Sequence, residues 1–328
     1  MRAELSRAAQ LRRAVGAFVV DNFFQGTSRL ARLHPDSRPE RHGVEVVRDV
    51  TYGARTKNEH LLDVYLPRAH KEPRPAVLYV HGGGFRILSK DSHWVMGLAY
   101  ARRGYVVFNV NYRLAPRHPY PAALEDCADA YAWVVANAGR FGADPSRLIL
   151  AGESAGANLV TSMTIAAAYE RPEPLAKKIF ETGVVPRATV PACGIFQVSD
   201  THRLARRRAM PAYVFDRLQE VEHNYLRGGA VGTSLDLADP VCVLEKGEAP
   251  ARPLPPFFLP CGTRDPLLDD TRRLGKALDA LGVRNEVHIY PGEVHAFHAF
   301  VWRPAARACW RETYRFLDET LGSATGEK

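Results

Sequence analysis

The chain has only five cysteines in 328 residues, Cys127, Cys193, Cys242, Cys261 and Cys309, and no C-x-x-C among them. An odd, scattered set argues against a disulfide framework or a zinc site and suits a reducing compartment. Read singly, they are small buried apolar residues. Long hydrophobic runs are missing too. Nothing approaches the ~18 apolar residues that a membrane span needs. The run from Ala14 to Val20 is short and is followed at once by Asp21, with no clean cleavage site after it, so no secretory signal is expected. There is no internal repeat, no low-complexity tract, and no basic array interleaved with aromatics. The net charge of +8 therefore does not imply nucleic acid, and no nucleic-acid partner is expected. With 46% hydrophobic and 24% charged residues, a soluble, cytoplasmic globular protein is the expectation.

What is present is an alternation of strand-like and helix-like segments. Apolar runs occur at Pro75 to Val80, Tyr105 to Val110, Arg147 to Ala151, Thr189 to Val198, Pro256 to Pro260 and Glu286 to Tyr290. Helical spacing or composition marks Ala122 to Ala138, Ser154 to Tyr169, Thr271 to Leu281 and Ala305 to Leu321. Such alternation predicts an α/β fold, a mostly parallel sheet flanked by helices, with its chemistry at the carboxyl ends of the strands. Two stretches break the pattern. Residues 1–44 are helical in pattern and then rich in proline and arginine. Residues 200–253 carry the cluster His202-Arg203-Leu204-Ala205-Arg206-Arg207-Arg208 and then an apolar series including Tyr213, Phe215, Leu218, Val221 and Tyr225. Both read as additions to the core that form one lid. The arginines at 2, 7, 12 and 13, beside Val15, Phe18, Val19 and Phe23, could form a basic amphipathic helix. Such a helix either packs on its own domain or lies on a membrane surface.

The chemistry concentrates in three places. Arg147 to Ala151 runs straight into Gly152-Glu153-Ser154-Ala155-Gly156, and helix formers follow. That is the strand–turn–helix context of a nucleophile elbow, where small neighbours let a serine project at a helix N-terminus. A serine nucleophile needs oxyanion donors. His81-Gly82-Gly83-Gly84-Phe85, after the apolar run at Pro75 to Val80, supplies them. The expected donors are the N–H groups of Gly83, Gly84 and Ala155, with His81 and Gly82 shaping the loop. The acid and base should follow in chain order. Asp265 comes just past the Pro256 to Pro260 run, while Asp269 and Asp270 read as cap and first-turn charges of the next helix. Past Glu286 to Tyr290, His295 sits in the loop and is the expected base. His298 begins to face the next helix, and His288 reads as a strand histidine.

In order, HGGGF, NYRLAP (Asn111 to Pro116), HPYPAALED (His118 to Asp126), GESAG, RDPLLDD and VHAF resemble the hormone-sensitive-lipase-like carboxylesterases of the α/β-hydrolase superfamily. The resemblance covers about residues 45–321. It implies a catalytic domain from 45–199 and 254–322, with a helical cap made of residues 1–44 and the insertion 200–253, and a tail at 323–328. It further implies a Ser154–Asp265–His295 triad, supporting roles for Tyr112, Arg113, Glu125 and Asp126, and no metal or organic cofactor. The chain departs from the family at Glu153, where aspartate is frequent, and at Ala157 and Ala296, where glycines are frequent. An acidic, buried support is the expected role of Glu153. The expected reaction is hydrolysis of short-to-medium acyl or aryl esters through a covalent acyl-enzyme. Amide or aryl-formamide hydrolysis, membrane-surface lipolysis and non-catalytic ligand binding are the alternatives. A homodimer is left open.

Overall fold

The computed structural model describes residues 16, 22, 26–54, 58–68, 73–207, 209–227 and 234–322. The basic residues 2, 7, 12 and 13, their apolar companions, Arg208 and the tail 323–328 lie outside that set. Eight strands form one sheet: β1 (Val44–Thr51), β2 (Leu61–Pro67), β3 (Arg74–Val80), β4 (Val106–Val110), β5 (Ala143–Glu153), β6 (Ala188–Ala192), β7 (Phe257–Gly262) and β8 (Asn285–Tyr290). Their spatial order is β1-β2-β4-β3-β5-β6-β7-β8. β1 and β2 are antiparallel to their neighbours, and every pairing from β4 through β8 is parallel.

The helices in chain order are α1 (Trp94–Ala101), α2 (Ala122–Asn137), α3 (Ala155–Ala168), α4 (Pro174–Glu181), α5 (His202–Arg207), α6 (Ala212–Leu226), α7 (Pro240–Glu245), α8 (Leu268–Ala280) and α9 (Pro304–Leu321). The strand period of two sorts β3 onto both faces. Leu78 and Val80 share the core on the α2 and α3 side, whereas Val77 and Tyr79 join Met96 and Leu98 of α1 and Trp310 and Phe316 of α9. Both faces are covered, which is why the central strands read as continuous apolar runs. Every residue of α3 is buried. A helix buried all round belongs at a domain's centre, and this one has the candidate nucleophile as its N-cap.

One strand is shorter than expected. The run from Thr189 to Val198 is strand only as far as Ala192, because Cys193 takes φ +40° and turns the chain out of the ladder. The backbone donors beyond it go to carboxylates instead: Phe196 N–H to Asp270 (2.8 Å) and Val198 N–H to Asp239 (2.6 Å). Asp270 is therefore more than a first-turn helix charge. It is fully buried and also accepts from Arg203. Arg203 of the basic cluster is thus an internal strut, while Arg206 stays exposed beside Asp200. Among the described residues, no helix is long and apolar enough to cross a membrane.

Candidate active site

β5 delivers the chain to Ser154, whose φ of +56° and ψ of −115° are those of a sharp, strained turn. Ser154 N–H donates to Ala192 O of the neighbouring strand (3.0 Å), and α3 starts at the next residue. Close approach explains the glycine that follows. A Cβ on Gly156 would lie 2.0 Å from Val80 O, so α3 can cross the end of β3 only without a side chain there. The serine is thereby held over the carboxyl edge of the sheet at the positive end of a helix.

The loop after β3 folds back on this turn. Gly83 has φ +104°, and its carbonyl accepts from Arg86 N–H and Ile87 N–H (3.1 Å each). A Cβ there would meet Ile87 O at 2.2 Å. Gly82 N–H donates to Glu153 Oε1 at 2.6 Å, so this amide is committed to the support and not to a substrate. His81 stacks on Tyr112 (centroids 4.3 Å apart), and its Nδ1 lies 2.7 Å from Gly82 O. Burial, reinforced by nearby His93, pushes the His81 imidazole down to about 3. It is neutral, and Nδ1 must carry the proton that Gly82 O accepts. His81 and Gly82 are thus tied to the loop's neighbours rather than open to the cavity.

Asp265 is buried past the end of β7, and Leu267 N–H donates to its Oδ1 (2.8 Å). Its Oδ2 lies 2.8 Å from Nδ1 of His295, which sits past the end of β8. Burial alone would lower the His295 pKa, but the Asp265 carboxylate outweighs it and the net shift is upward. The residue after the histidine, Ala296, takes a left-handed conformation (φ +55°, ψ +29°). Ser154, His295, Gly83 and Gly84 all open into one cavity of about 1630 Å³. Ala155 is buried directly behind the serine as the first residue of α3.

The profile of the α/β-hydrolase fold family matches residues 77–299. The chain is 34% identical over 254 residues to carboxylesterase NlhH of Mycobacterium tuberculosis, covering 76% of this chain and 75% of that one. It is 40% identical over 112 residues to hormone-sensitive lipase of Mus musculus, a stretch that is 31% of this chain and 14% of that one. The crystal structure of esterase LipW from Mycobacterium marinum superposes with a TM-score of 0.71 at 26% identity, over 98% of this chain and 96% of that one. The chain belongs to the α/β-hydrolase family, in its hormone-sensitive-lipase-like carboxylesterase branch.

Around Glu153 the esterase has partners that its sequence did not reveal. Glu153 is buried under the elbow and accepts from Tyr79 Oη–H as well as from Gly82, and His93 Nε2 lies 2.5 Å from its Oε1. Burial would raise the Glu153 pKa, but the opposing pull of His93, with help from Tyr79, prevails and holds it down to about 2. His93 answers in kind, its pKa raised by Glu153 against the pull of burial. No local pattern around Asp91-Ser92-His93 marks this partner, because the two residues meet only in the folded chain. The Arg113 guanidinium donates to Asp126 (2.8 Å and 2.9 Å) and Glu125 (2.8 Å), tying the loop after β4 to α2. His288 sits on β8 between Glu312 (2.9 Å) and Glu286 (3.2 Å). His298 is buried, its carbonyl accepting from Trp310 Nε1 (3.0 Å). Burial pushes the His298 imidazole down to about 4.

Proposed function

We propose that this carboxylesterase uses Ser154 as nucleophile, His295 as general base and Asp265 as the acid that orients it. The observation that carries the reading is the strained elbow at Ser154 opening into the same cavity as His295, whose Nδ1 is bonded to Asp265. His295 takes the serine proton through Nε2 as Oγ attacks the acyl carbonyl. The N–H groups of Gly83, Gly84 and Ala155 receive the developing oxyanion. His295 then protonates the leaving alcohol, and water activated by His295 releases the acid and restores Ser154. Asp265 holds the tautomer with its proton on Nδ1 and stabilises the imidazolium that forms in each half-reaction.

The described parts of residues 1–44 and 200–253 form the cap in this reading. In support, Tyr225 of α6 stacks on Phe85 beside the glycine loop at 3.7 Å, and Arg86 pairs with Glu220 at 3.1 Å. Tyr225 is fully buried and so belongs to the anchor of the cap, while Tyr213 is exposed at the mouth. The preferred substrates are short-to-medium acyl or aryl esters. The cavity exceeds the roughly 300–1,000 Å³ of a usual small-molecule site, so bulky alcohol portions fit as well.

A second reading, lipolysis at a membrane surface, has one observation in its favour. Leu30, Tyr213, Val301 and Trp302 are exposed apolar side chains lining the same mouth. The deciding experiment is a p-nitrophenyl ester series from acetate to palmitate, run with the wild type and Ser154→Ala. Hydrolysis of short chains, with a loss of roughly 10³-fold or more in the variant, supports the triad. An activity jump as long-chain substrate aggregates moves the reading to the lipase. Ester hydrolysis that survives Ser154→Ala removes the triad from the mechanism.

A further inference from the structure

Cys193 is the residue that turns the chain at the end of β6. It does so in a left-handed conformation (φ +40°) that costs an ordinary side chain roughly 1–2 kcal/mol. Gly194 stands next to it and would bear that geometry without cost. One backbone contact fixes the cysteine there: its N–H donates to Pro260 O (3.0 Å). The consequence is that Sγ points at the Asp265–His295 pair. One ligand atom from each of Cys193, Asp265 and His295 lies within 4.8 Å of the other two. No other group of three such side chains is assembled among the described residues.

A thiolate, an imidazole and a carboxylate are the donor types of a tetrahedral site for a borderline-soft divalent cation. At metal–ligand distances of about 2.0–2.3 Å, ligand atoms sit roughly 3.3–3.8 Å apart. The widest pair must close by about 1 Å, and the 2.8 Å His295–Asp265 contact must open slightly. His295 is half-exposed to the cavity and offers the entry path, leaving the fourth position to water.

We propose that Cys193, Asp265 and His295 form an inhibitory binding site for zinc-like divalent cations, which switches the esterase off by capturing the base and its orienting acid. The proposal rests on the triad assignment for its effect on activity, but metal capture itself does not. Binding releases the thiol proton and the proton shared between His295 and Asp265 to solvent, and the cation takes one lone pair each from sulfur, the ring nitrogen and the carboxylate. His295 is then held away from Ser154. No oxidant or reductant takes part.

The test titrates Zn²⁺ into the intact protein during ester hydrolysis, with wild type, Cys193→Ala and Cys193→Ser. In parallel, Cd²⁺ is followed by its ultraviolet thiolate charge-transfer band. The expected result is reversible loss of wild-type activity that a chelator restores. Both variants should keep their basal activity, need at least roughly tenfold more Zn²⁺, and lose the Cd²⁺ band although the other four cysteines remain. Equal inhibition of all three proteins, or a Cd²⁺ band that survives in both variants, overturns the site. A wild type that shows the band and loses it in both variants, yet has no esterase activity to inhibit, leaves the site standing and rejects the triad instead.

Discussion

Replacing Glu153 by glutamine removes the negative charge under the Ser154 turn while keeping its shape. Glutamine Oε1 can still accept from Gly82 N–H, so the glycine loop stays anchored and the change isolates the charge. In the wild type the folded pKa is about 2 against an ordinary 4.5, a difference of about 2.5 units. At 1.36 kcal/mol per unit, the charged form contributes about 3 kcal/mol at neutral pH. The sign follows from a folded pKa that is depressed. The contribution is present above pH 4.5 and is lost as pH falls toward 2. By pH 3 about 2 kcal/mol of it is gone. His93 has the opposite sign. Its pKa is raised by Glu153, so its contribution is present below 6.5 and fades as pH rises through the folded value. Urea unfolding at pH 6 measures the effect, because below that pH the variant's buried His93, without its partner, also costs stability by resisting protonation. The wild type should exceed Glu153→Gln there by about 3 kcal/mol. A difference under about 0.5 kcal/mol would refute the ion-pair account.

Asp265→Asn should lower kcat/KM by about 10³–10⁴-fold, because the wrong tautomer of His295 is then favoured. The acid limb of the remaining pH–rate profile should move to lower pH, since the Asp265 charge is what raises His295 against its burial; a limb that stays put removes Asp265 from that role. Ala296→Gly should raise stability in thermal unfolding by roughly 0.5 kcal/mol. It relieves about 1–2 kcal/mol of left-handed strain and returns about half as much in unfolded-state entropy. A loss of more than about 1 kcal/mol would mean that the Ala296 methyl carries packing worth more than its strain. Gly156→Ala places a methyl 2.0 Å from Val80 O, a backbone atom that cannot swing away. It should cost more than about 4 kcal/mol or prevent folding, and near-native melting would contradict the elbow packing.

The parts of the molecule that were legible in its sequence are those fixed by short-range rules. Buried parallel strands announce themselves as apolar runs, so β3, β4, β5, β7 and β8 were placed to within a few residues. The elbow and glycine loop are local motifs, and chain order led to Asp265 and His295. The edge strand β1 escaped because nothing beyond Val44 is buried and no alternation betrays a face, and its neighbour β2 was passed over although its central residues are buried. The β6 run was over-extended because apolar composition says nothing of φ at Cys193. The buried supports escaped for a different reason. Glu153–His93 and Arg203–Asp270 join residues 60 and 67 positions apart, and no spacing rule spans such distances. Arg203 in particular looked like one more member of a solvated basic cluster.

The strained turns share a physical origin with the candidate site. Phe85, Ser154, Cys193 and Ala296 are non-glycine residues with φ between +40° and +60°, and they follow β3, β5, β6 and β8. All four strands are parallel, so these turns converge on one edge of the sheet. At about 1–2 kcal/mol each, the strain sums to roughly 4–8 kcal/mol, comparable to the whole net stability of a domain. Such turns persist only where packing over-determines them. Here α3 is wholly buried, Gly156 is pressed against Val80, and two buried acid–base pairs clamp the loops from below. The rigid core beneath the edge is thus what allows Ser154 and His295 to face one cavity, and a substitution that loosens α3 should cost activity before it costs the fold.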